Sequence, residues 1–523
     1  MSVPHKTGAA RDQAPAADAA DLLGLVLGHA ARRPDSLALQ DDEGSFTYGQ
    51  LAEHVARTAS GLSALGVGAG DRVALHIPNS AEFVGLALGC LWLGASFVPL
   101  QVGSPELRLA AVIEDCDPAL VVVRDGQDLS LAGRARPTAT AAGALTAARS
   151  SIARSESPDR DAYLVYTSGT TGLPKGVRAS QRAVCWETCR TVETLGLDET
   201  VRGLAVSAFH FDGSYGLVFP VLAAGGALFV PRREDILFPK RFYDYVVDRA
   251  ITFTSFSPSY LRLLLSARQL ARLAGSQLRV LLLGGEECIA ADVRKLWSVL
   301  PEVRVFNRYG PTETTIAVTT YRVSADDVAS GLIPIGEPHL GTDFFLQSED
   351  GQLVTDDGAP GELFIGGEQL MRGYWGDEEL SRKVLRNDVV PGRSLYKTGD
   401  LVYRDGAGRY LYVGRLDDVI KRNGVRISLT EVARAFREVP GVTAACCALV
   451  DMAGSPGIMA FVEAPPDVTV AGLFATAEAL LPATMLPDGI DVVGSIPMTQ
   501  QGKVDRHQLL AGSGHIAWRD GTV

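Results

Sequence analysis

Short apolar runs alternate with longer segments of helical periodicity over the first two thirds of the chain. Runs such as Leu120–Val123, Ala162–Tyr166 and Val280–Leu283 contain almost no polar residues. The segments between them, such as Tyr48–Leu65 and Ser80–Leu93, place apolar residues three and four positions apart. Strands that are apolar on both faces and are separated by helices predict parallel sheets covered by helices on both sides.

The pattern changes after Gly341, where strand and turn signals continue to Tyr412 and predict an antiparallel β region. The last hundred residues predict a small α+β domain, with helices at Ser428–Val439 and Val470–Leu481 and strands at Thr443–Asp451 and Gly457–Glu463. Thr138–Arg154, rich in Ala, Thr and Ser, is predicted to be a surface connector.

We therefore predict an α/β fold in three parts. Residues 1–20 form a disordered leader. Residues 21–416 form a large domain of two helix-covered, mostly parallel sheets together with the antiparallel region. Residues 417–523 form a small, mobile α+β domain.

Composition narrows the classes of function. The 523 residues are 46% hydrophobic and 21% charged, which is ordinary for a globular protein and excludes global disorder. The 49 Lys and Arg residues and 61 Asp and Glu residues give a formal net charge of −12. Because nucleic acids and anionic membranes bind basic surfaces, we expect neither as a partner.

The N-terminus and the cysteines indicate a cytoplasmic protein. Residues 1–20 are rich in Ala and Asp and lack the apolar run of a signal peptide. Apolar runs elsewhere are too short to cross a membrane. The 7 cysteines lie in largely apolar surroundings without a CxxC pair, which favours buried free thiols over a metal or disulfide role.

The strongest chemical signal is the loop Tyr166–Gly176, which directly follows an apolar strand. Its 11 residues include 4 Ser or Thr, 3 Gly and Lys175. Backbone N–H groups in such a loop can turn toward an anion, so we predict a phosphate-binding loop. It differs from a Walker loop because Pro174, rather than Gly, precedes the lysine.

This loop resembles that of the adenylate-forming superfamily: acyl-CoA synthetases, luciferases and the adenylation domains of nonribosomal peptide synthetases. Further motifs of that superfamily follow in the same order: Gly284-Gly285-Glu286, Asn307–Glu313, Gly361-Glu362-Leu363, Tyr396–Asp400, Gly414–Asp417 and Gly502-Lys503. The resemblance extends from about residue 25 to about residue 510. It implies that a substrate carboxylate attacks the α-phosphate of ATP, with Mg²⁺ as the metal and pyrophosphate as a product. Since a carboxylate is a weak nucleophile, catalysis would depend on positioning and charge neutralisation.

The resemblance also implies a nucleotide site. The phosphate-loop residues that would hold the β- and γ-phosphates are Thr167, Ser168, Gly169, Thr170, Thr171 and Lys175. The remaining nucleotide contacts would come from Gly285, Glu286, Asn307, Tyr309, Asp400 and Arg415, with Tyr309 against adenine and Asp400 at the ribose hydroxyls. Taken alone, Asp400 could equally be a turn residue.

Catalytic roles follow from the same resemblance. Thr312 would contact the α-phosphate, and Glu313 would bind Mg²⁺, which prefers oxygen ligands. Lys503 would bridge the carboxylate and the α-phosphate once the small domain closes over the site. Asp417 matches the hinge about which that domain rotates to expose a second, thioester-forming face. The chain departs from the superfamily pattern at Asn423 and Ser428, so details of thioester formation are not transferred to those positions.

The acceptor pocket is predicted around Phe209–Gly216. In members that activate amino acids, an aspartate at the position of Asp212 pairs with the substrate ammonium; the alternative is that Asp212 caps a helix beginning at Ser214. His210 is expected to be a wall residue rather than a base. Motif spacing adds the following positions to the pocket: Gly213, Gly216, Ser255, Leu281, Leu283, Arg308, Ile316 and Ala317. Arg308 would suit an acidic substrate side chain or could turn to solvent, whereas the other positions favour an aliphatic one.

The sequence continues for 20 residues beyond Lys503 and contains no phosphopantetheine motif in its last hundred residues. We therefore expect a stand-alone enzyme that passes its acyl group to a separate carrier protein with a phosphopantetheine arm. Phe211–Gly216 and Leu237-Phe238-Pro239 resemble enzymes that load β-amino acids in macrolactam polyketide pathways. The alternatives are an α-amino acid or D-alanine carrier-protein ligase, an acyl-CoA synthetase, and a binding protein that has kept only the fold.

Overall fold

The structure is a computed structural model. It describes residues 21–126, 137–146, 152–155, 157–167, 174–267, 269–348, 350–416, 419–422, 425–452, 455–465, 468–497, 508–510 and 516–518. The predicted leader lies outside these residues. We call residues 21–416 the large segment and residues 419–518 the C-terminal segment.

The first part of the large segment alternates helices and strands, as the hydrophobic pattern predicts. Its elements are α1 Leu22–Arg32, β1 Leu37–Gln40, β2 Ser45–Thr47, α2 Tyr48–Ala64, β3 Arg72–His76, α3 Ala81–Leu93, β4 Ser96–Pro99, α4 Glu106–Cys116, β5 Leu120–Val123, β6 Thr138–Thr140, α5 Ala141–Thr146, β7 Asp161–Thr167 and β8 Lys175–Ser180. Helix starts carry polar caps: Thr47 and Gln50 form a capping box at α2, and Ser80 caps α3.

The alternation continues to residue 330. The elements are α6 Gln181–Leu195, β9 Arg202–Ala205, α7 Tyr215–Ala223, β10 Ala227–Phe229, α8 Arg233–Leu237, α9 Pro239–Asp248, β11 Phe253–Phe256, α10 Pro258–Ser266, β12 Val280–Gly284, α11 Ala290–Trp297, β13 Arg304–Tyr309, β14 Thr319–Arg322 and α12 Ala325–Ser330. Short 3-10 helices occupy Asp212–Ser214, Leu270–Gly275 and Thr312–Thr314.

The antiparallel region comes next, and the C-terminal segment follows it. The elements of the region are β15 Thr342–Gln347, β16 Leu353–Val354, β17 Pro360–Gly367, α13 Glu378–Val384, β18 Leu385–Arg386, β19 Leu395–Arg404 and β20 Tyr410–Arg415. Those of the C-terminal segment are β21 Val419–Arg422, β22 Val425–Ser428, α14 Leu429–Arg437, β23 Ala444–Met452, β24 Ser455–Glu463, α15 Val470–Leu480, the 3-10 helix Ala483–Met485, β25 Gly489–Val493 and β26 Ile516–Trp518.

Two mostly parallel sheets form the body of the large segment. One has the strand order β6-β5-β3-β4-β7-β8, and the other β14-β13-β12-β11-β9-β10-β1-β2. Antiparallel pairs occur only at their edges among the described strands, between β7 and β8, β13 and β14, and β1 and β2. The main hydrophobic core lies between the two sheets, where Phe97 and Tyr163 of the first sheet and Leu228 and Leu282 of the second share one cluster.

The remaining sheets also match the predicted fold class. The antiparallel sheet has the order β16-β15-β17-β19-β18, with β20 paired to β19. In the C-terminal segment, β21 and β22 form a hairpin, and β23-β24-β25-β26 form a mixed sheet. The prediction of an α/β fold with an antiparallel β region is therefore confirmed.

One sequence interpretation needs correction. Part of the predicted connector Thr138–Arg154 is regular structure, because β6 and α5 lie within it. β6 pairs in parallel with the buried strand β5, with Thr138 opposite Val121. The residues of β6 are Thr and Ala, so the local sequence does not show the apolar pattern of a buried strand. The strand is stabilised by backbone hydrogen bonds to β5.

Two further observations concern the whole described chain. All 7 cysteines are free thiols and all but Cys189 are buried, as the sequence predicted. Among the described helices, none has the length and apolar character needed to cross a membrane.

Candidate active site

The β7–β8 hairpin positions both ends of the predicted phosphate loop. Thr167 and Lys175 lie directly opposite each other in its antiparallel register. The Lys175 ammonium lies 5.0 Å from the centroid of the Tyr374 ring, a cation–π contact. Ser168, Gly169, Thr170 and Thr171 lie outside the described residues, so their predicted roles stay predictions.

Tyr374 also connects this hairpin to the predicted metal ligand. Its hydroxyl donates a 2.8 Å hydrogen bond to Oε1 of Glu313, and the Met371 amide donates to the Glu313 carbonyl at 2.9 Å. Glu313 is 1% exposed. The described residues contain no group of three or more His, Cys, Asp or Glu able to hold a metal, so a cation beside Glu313 would need further oxygens from a ligand.

The predicted adenine and ribose residues contact each other. The Tyr309 hydroxyl donates a 2.5 Å hydrogen bond to Oδ2 of Asp400, and both side chains are buried. Burial and the nearby Asp400 carboxylate raise the pKa of Tyr309 well above 10. Asp400 is held further by its own amide, which donates to Thr398 Oγ1 at 2.9 Å. Arg415 pairs with Asp400 in the β19–β20 register, and its side chain is outside the described part.

Two other predicted nucleotide residues make structural contacts. Asn307 donates from Nδ2 to the carbonyl of Pro334 at 2.8 Å. Glu286 accepts from the backbone N–H of Ser259 at 2.9 Å and from its hydroxyl, so its carboxylate satisfies the first turn of α10. Gly285, with a φ of 84°, adopts the left-handed conformation that favours glycine.

Asp212 lies beside the predicted α-phosphate residue. Its Oδ1 accepts a 3.1 Å hydrogen bond from the Thr312 hydroxyl, and its Oδ2 accepts a 3.3 Å bond from the Ile316 amide. Neither the 3-10 helix at 212–214 nor α7 has a side-chain cap, so the capping alternative is not what the structure shows. The carboxylate therefore contacts the residue that was predicted to bind the α-phosphate.

The surroundings of Asp212 favour its neutral form when no cation is near. Burial is the main cause and raises its pKa to about 6, and the charge of Glu313 adds to this. The hydrogen bonds from Thr312 and Ile316 oppose the shift. An ammonium group would reverse it, because an opposite charge stabilises the carboxylate.

The backbone is strained where it contacts Asp212. Thr315 and Ile316 have φ values of 52° and 70°, in the left-handed region that β-branched residues rarely adopt. This conformation turns the Ile316 amide toward the Asp212 carboxylate. Strain of this kind is typical of sites where geometry serves a ligand.

Arg308 turns neither to solvent nor into an open pocket. Its guanidinium forms an ion pair with Glu187 and donates to Thr191 Oγ1 at 2.8 Å and to the carbonyl of Gly216 at 2.9 Å. Arg308 is 7% exposed, and burial lowers its pKa to about 9. Its charge is therefore already neutralised by Glu187.

Gly216 packs against this guanidinium. A Cβ at position 216 would lie 2.2 Å from Arg308 Nη1 and 2.8 Å from Ile316 Cγ2. The space that a side chain at position 216 would enter is thus already occupied by Arg308 and Ile316. Gly213, three residues earlier, has no atom within 4 Å of the corresponding point.

The two leucines assigned to the acceptor pocket point to the opposite side of the sheet. Leu281 and Leu283 belong to the core cluster on the α9–α11 side, whereas Leu282 belongs to the main core with Ile316 and Ala317. Since side chains alternate along a strand, Leu282 and Gly284 share the Arg308 face. We therefore replace Leu281 and Leu283 by Leu282 and Gly284 in the candidate pocket.

The other predicted pocket residues remain on the acceptor side. Ser255 and Gly213 line a narrow cleft together with Ala205, Ser214 and Leu217. Ile316 and Ala317 are buried, at 6% and 0% exposure, and Ile316 lies beside Gly216. The described residues around this cleft are therefore small or apolar, and Asp212 directly precedes one of them, Gly213.

Sequence reasoning missed several residues at the site. Tyr374 had only the local signal of an aromatic residue after Gly373. Glu187 and Thr191 stand four apart on α6, a spacing that places two polar groups on one buried face. Tyr163 has a buried hydroxyl without a hydrogen-bond partner among the described residues, and the Asp212 charge adds to burial in raising its pKa.

Two predicted residues, Lys503 and Asp417, lie outside the described residues, so their roles stay predictions.

Comparisons with known proteins give the following relatives. The family model for AMP-binding enzymes matches residues 27–375. Surfactin synthase subunit 2 of Bacillus subtilis (strain 168) is 31% identical over 493 residues, which is 92% of this chain and 14% of that protein. The crystal structure of IdnL1 is 30% identical, with a TM-score of 0.78 over 93% of this chain and 100% of its own. Holo-PA1221, an NRPS protein containing adenylation and PCP domains, is 26% identical, with a TM-score of 0.83 over 94% of this chain and 84% of its own.

Proposed function

The chain belongs to the family of AMP-binding enzymes, and we propose that it activates the carboxylate of an amino acid with ATP and passes the acyl group to a carrier-protein thiol. The observation that carries the proposal is the contact between Asp212 and Thr312. The Asp212 carboxylate could pair with a substrate ammonium group, and Thr312 is the residue proposed to contact the α-phosphate. A substrate with both an ammonium and a carboxylate group would fit across that contact.

In the first half-reaction, a carboxylate oxygen of the amino acid attacks the α-phosphorus of ATP. The bond from that phosphorus to the bridging oxygen breaks, and pyrophosphate leaves. Lys175 and the phosphate loop would hold the β- and γ-phosphates, Tyr309 and Asp400 the nucleoside, and Lys503 the reacting oxygens. The protein's contribution is position and charge, since no proton has to move.

Magnesium fits the donor set at Glu313. A buried carboxylate oxygen is a hard ligand, and Mg²⁺ is commonly bound by one or two carboxylates together with substrate phosphates. Bound there, the ion would neutralise phosphate charge. Tyr374 would keep the Glu313 carboxylate oriented toward it through the 2.8 Å hydrogen bond.

The acceptor side supports an aliphatic amino acid. Arg308 is paired with Glu187, so it has no unmatched charge to offer an acidic side chain. The other wall residues are apolar or small, which favours a hydrocarbon side chain. A β-amino acid used in polyketide biosynthesis remains the proposed substrate. An α-amino acid, including D-alanine, is the first alternative, and a fatty acid activated for CoA is the second.

In the second half-reaction, the thiol of a phosphopantetheine arm attacks the acyl carbon. The bond between that carbon and the AMP oxygen breaks, AMP leaves, and the thiol proton passes to solvent. PA1221, which combines adenylation and PCP domains, supports a carrier protein as acceptor. We propose that the carrier is a separate protein and that the reaction takes place in the cytoplasm.

A substrate panel in a pyrophosphate-exchange assay tests the proposal. We expect exchange with an aliphatic β-amino acid, weaker exchange with α-amino acids of the same carbon number, and almost none with acidic amino acids. Thiol transfer is then compared between a holo-carrier protein and CoA, and the carrier should react faster. Exchange that is fastest with unsubstituted fatty acids, together with equal use of CoA, would instead establish an acyl-CoA synthetase.

A further inference from the structure

A buried carboxylate on α6 balances the charge of the arginine next to the proposed acceptor pocket. Glu187 forms an ion pair with Arg308, and their side chains are 0% and 7% exposed, respectively. Among the described residues, no other carboxylate lies within ion-pair distance of Arg308. Thr191, one turn further along α6, donates from its hydroxyl to Glu187 Oε1 at 2.7 Å and accepts from Arg308 Nη2 at 2.8 Å. The protein itself therefore supplies the counter-charge of Arg308.

The ion pair does not use all of its hydrogen-bonding groups. Glu187 Oε2 and Arg308 Nε are buried and have no hydrogen-bond partner among the described residues. The pair is thus formed through one carboxylate oxygen, although a guanidinium can bind a carboxylate through two parallel N–H···O bonds. Arg308 consequently keeps a donor with which it could bind a second acceptor.

A continuous set of contacts connects this arginine to the proposed ammonium anchor. Arg308 Nη1 donates to the Gly216 carbonyl at 2.9 Å, and Gly216 follows Asp212 by about one helical turn. Ile316 lies beside both, because its amide donates to Asp212 at 3.3 Å and its Cγ2 would lie 2.8 Å from a Cβ at position 216. Residues one helical turn apart are roughly 5–6 Å from each other, a distance that a side chain of a few carbons spans. A substrate anchored at Asp212 could therefore extend toward Arg308.

We propose that Glu187 determines the preference for neutral over acidic substrate side chains, because it occupies Arg308 in place of a substrate carboxylate. The inference rests on the proposed function and deepens it by naming a specificity-determining residue. Glu187 touches none of the reacting atoms and acts through Arg308. A second carboxylate brought to the pair would meet the negative charge of Glu187, which disfavours its binding. Without Glu187, Arg308 is a buried charge that lacks its partner, and a substrate carboxylate would supply it.

Two substrates that differ only at the end of the chain test this role. β-Aminohexanoate ends in a methyl group, and β-aminoadipate has the same carbon chain but ends in a carboxylate. Glu187→Ala removes the internal carboxylate and leaves its space. In pyrophosphate exchange, we expect the ratio of kcat/KM for β-aminoadipate to that for β-aminohexanoate to rise at least ~10²-fold above the wild-type ratio, the scale of one lost partner in a buried charge pair. A merely structural role would lower both values together and leave the ratio unchanged.

Two controls assign the change to the charge of Arg308. Glu193→Ala is the matched variant on the same helix, where it breaks the 2.8 Å ion pair with Arg190 at a side chain that is 52% exposed, and it should leave the ratio unchanged. Glu187→Ala/Arg308→Gln removes both charges and should return the ratio to about the wild-type value. An unchanged ratio in Glu187→Ala, or an equal rise in the double variant or in Glu193→Ala, would overturn the proposal.

A second variant covers the case in which Glu187→Ala does not fold. Glu187→Gln removes the charge but keeps the shape of the side chain, so the packing around Arg308 is preserved. Because the amide still fills the space, the ratio should rise in the same direction but by less. A folded Glu187→Gln variant with the wild-type ratio would contradict the proposal.

Thermal denaturation separates the failure of this inference from the failure of the proposed function. If the wild type exchanges pyrophosphate with no amino acid, the proposed function fails, but the binding of a carboxylate by Arg308 can still be measured. Propionate has the shape and charge of the group deleted in Glu187→Ala, whereas propionamide has only the shape. Propionate should raise the denaturation midpoint of Glu187→Ala more than propionamide does, and the two should act alike on Glu187→Ala/Arg308→Gln. Equal effects on the single variant would show that Arg308 accepts no external carboxylate and would overturn the inference.

Discussion

The proposed nucleotide side of the site is built from side chains that contact one another, whereas the proposed acceptor side is packed against a buried ion pair. Tyr309 contacts Asp400, and Tyr374 contacts Glu313, by direct hydrogen bonds. On the acceptor side, Arg308 is paired with Glu187 and packs against Gly216. A substitution on the nucleotide side should therefore remove one contact, while a substitution on the acceptor side should change the shape of the pocket.

Asp212 contacts Thr312, the residue proposed for the α-phosphate, and is also the proposed partner of the substrate ammonium. Changing Asp212 should therefore have the largest effect on activity. Asp212→Asn leaves the substrate ammonium without its partner, and losing one partner of a buried charge pair costs about 3–5 kcal/mol. We expect kcat/KM for the amino acid to fall between roughly a hundredfold and a few thousandfold at that cost. ATP binding, measured by calorimetry, should change little. Unchanged kcat/KM in the variant would remove Asp212 from substrate recognition.

Lys503→Ala should have the next largest effect, and only on the first half-reaction. Loss of one electrostatic stabiliser of a transition state commonly costs about 10²–10³ in rate. We expect pyrophosphate exchange to slow by at least ~10²-fold, with ATP affinity and thioester formation from a preformed adenylate preserved. A variant with near-normal exchange would show that Lys503 has no part in the chemical step.

Gly216→Ala tests whether packing shapes the acceptor side. The added Cβ would lie 2.2 Å from Arg308 Nη1, so the ion-paired guanidinium must shift. Overpacking of this kind costs about 1–3 kcal/mol and should lower the denaturation midpoint. Gly213→Ala is the control, since nothing lies within 4 Å of its Cβ position. Equal midpoints for the two variants would mean that Arg308 has room to move.

This result bears on the substrate's length as well. If Gly216 lined open pocket space, as its predicted pocket position implies, a leucine there would shorten the pocket and reverse a preference for longer substrates. With Arg308 already in that space, Gly216→Leu should displace the ion pair and lower activity toward short and long substrates together. A clean reversal of the length preference would restore the earlier interpretation.

The dependence on pH should give the smallest effect. Burial raises the pKa of Asp212 to about 6, so its carboxyl group is mostly protonated below that pH and cannot pair with an ammonium group. We expect KM for the amino acid to fall about tenfold between pH 5 and pH 7 and to level off above about 7. The dependence should disappear in Asp212→Asn. A flat profile in the wild type would contradict the assignment.

The two sides also differ in how well the sequence predicted them. On the nucleotide side, Glu313, Tyr309 and Asp400 stand in contiguous motifs, and the structure brings them to buried positions with polar partners. On the acceptor side, the motif spacing placed Leu283 in the pocket, but strand alternation turns it to the other face of the sheet. An error of one residue along a strand reverses the face, and spacing alone does not detect it.

Contacts between residues far apart along the chain were the second limit on predicting the site from the sequence. Glu187 is 121 residues from Arg308, and Tyr374 is 61 residues from Glu313. Neither partner stands in a motif of its own, so no local pattern connects the two members of a pair. From the sequence, Arg308 could have faced either an acidic substrate side chain or solvent. In the structure it pairs with Glu187 instead. The predicted fold class depended only on local periodicity, and it is confirmed.

Recognition of an ammonium group next to the reacting carboxylate, as proposed for Asp212, can be tested by one matched comparison. Pyrophosphate exchange is measured with an aliphatic β-amino acid and with the carboxylic acid that has the same carbon chain but no amino group. Because the deaminated acid leaves Asp212 unpaired, we predict a preference of at least ~10²-fold in kcat/KM for the amino acid, and loss of that preference in Asp212→Asn. Equal exchange with both acids in the wild-type enzyme would contradict the account.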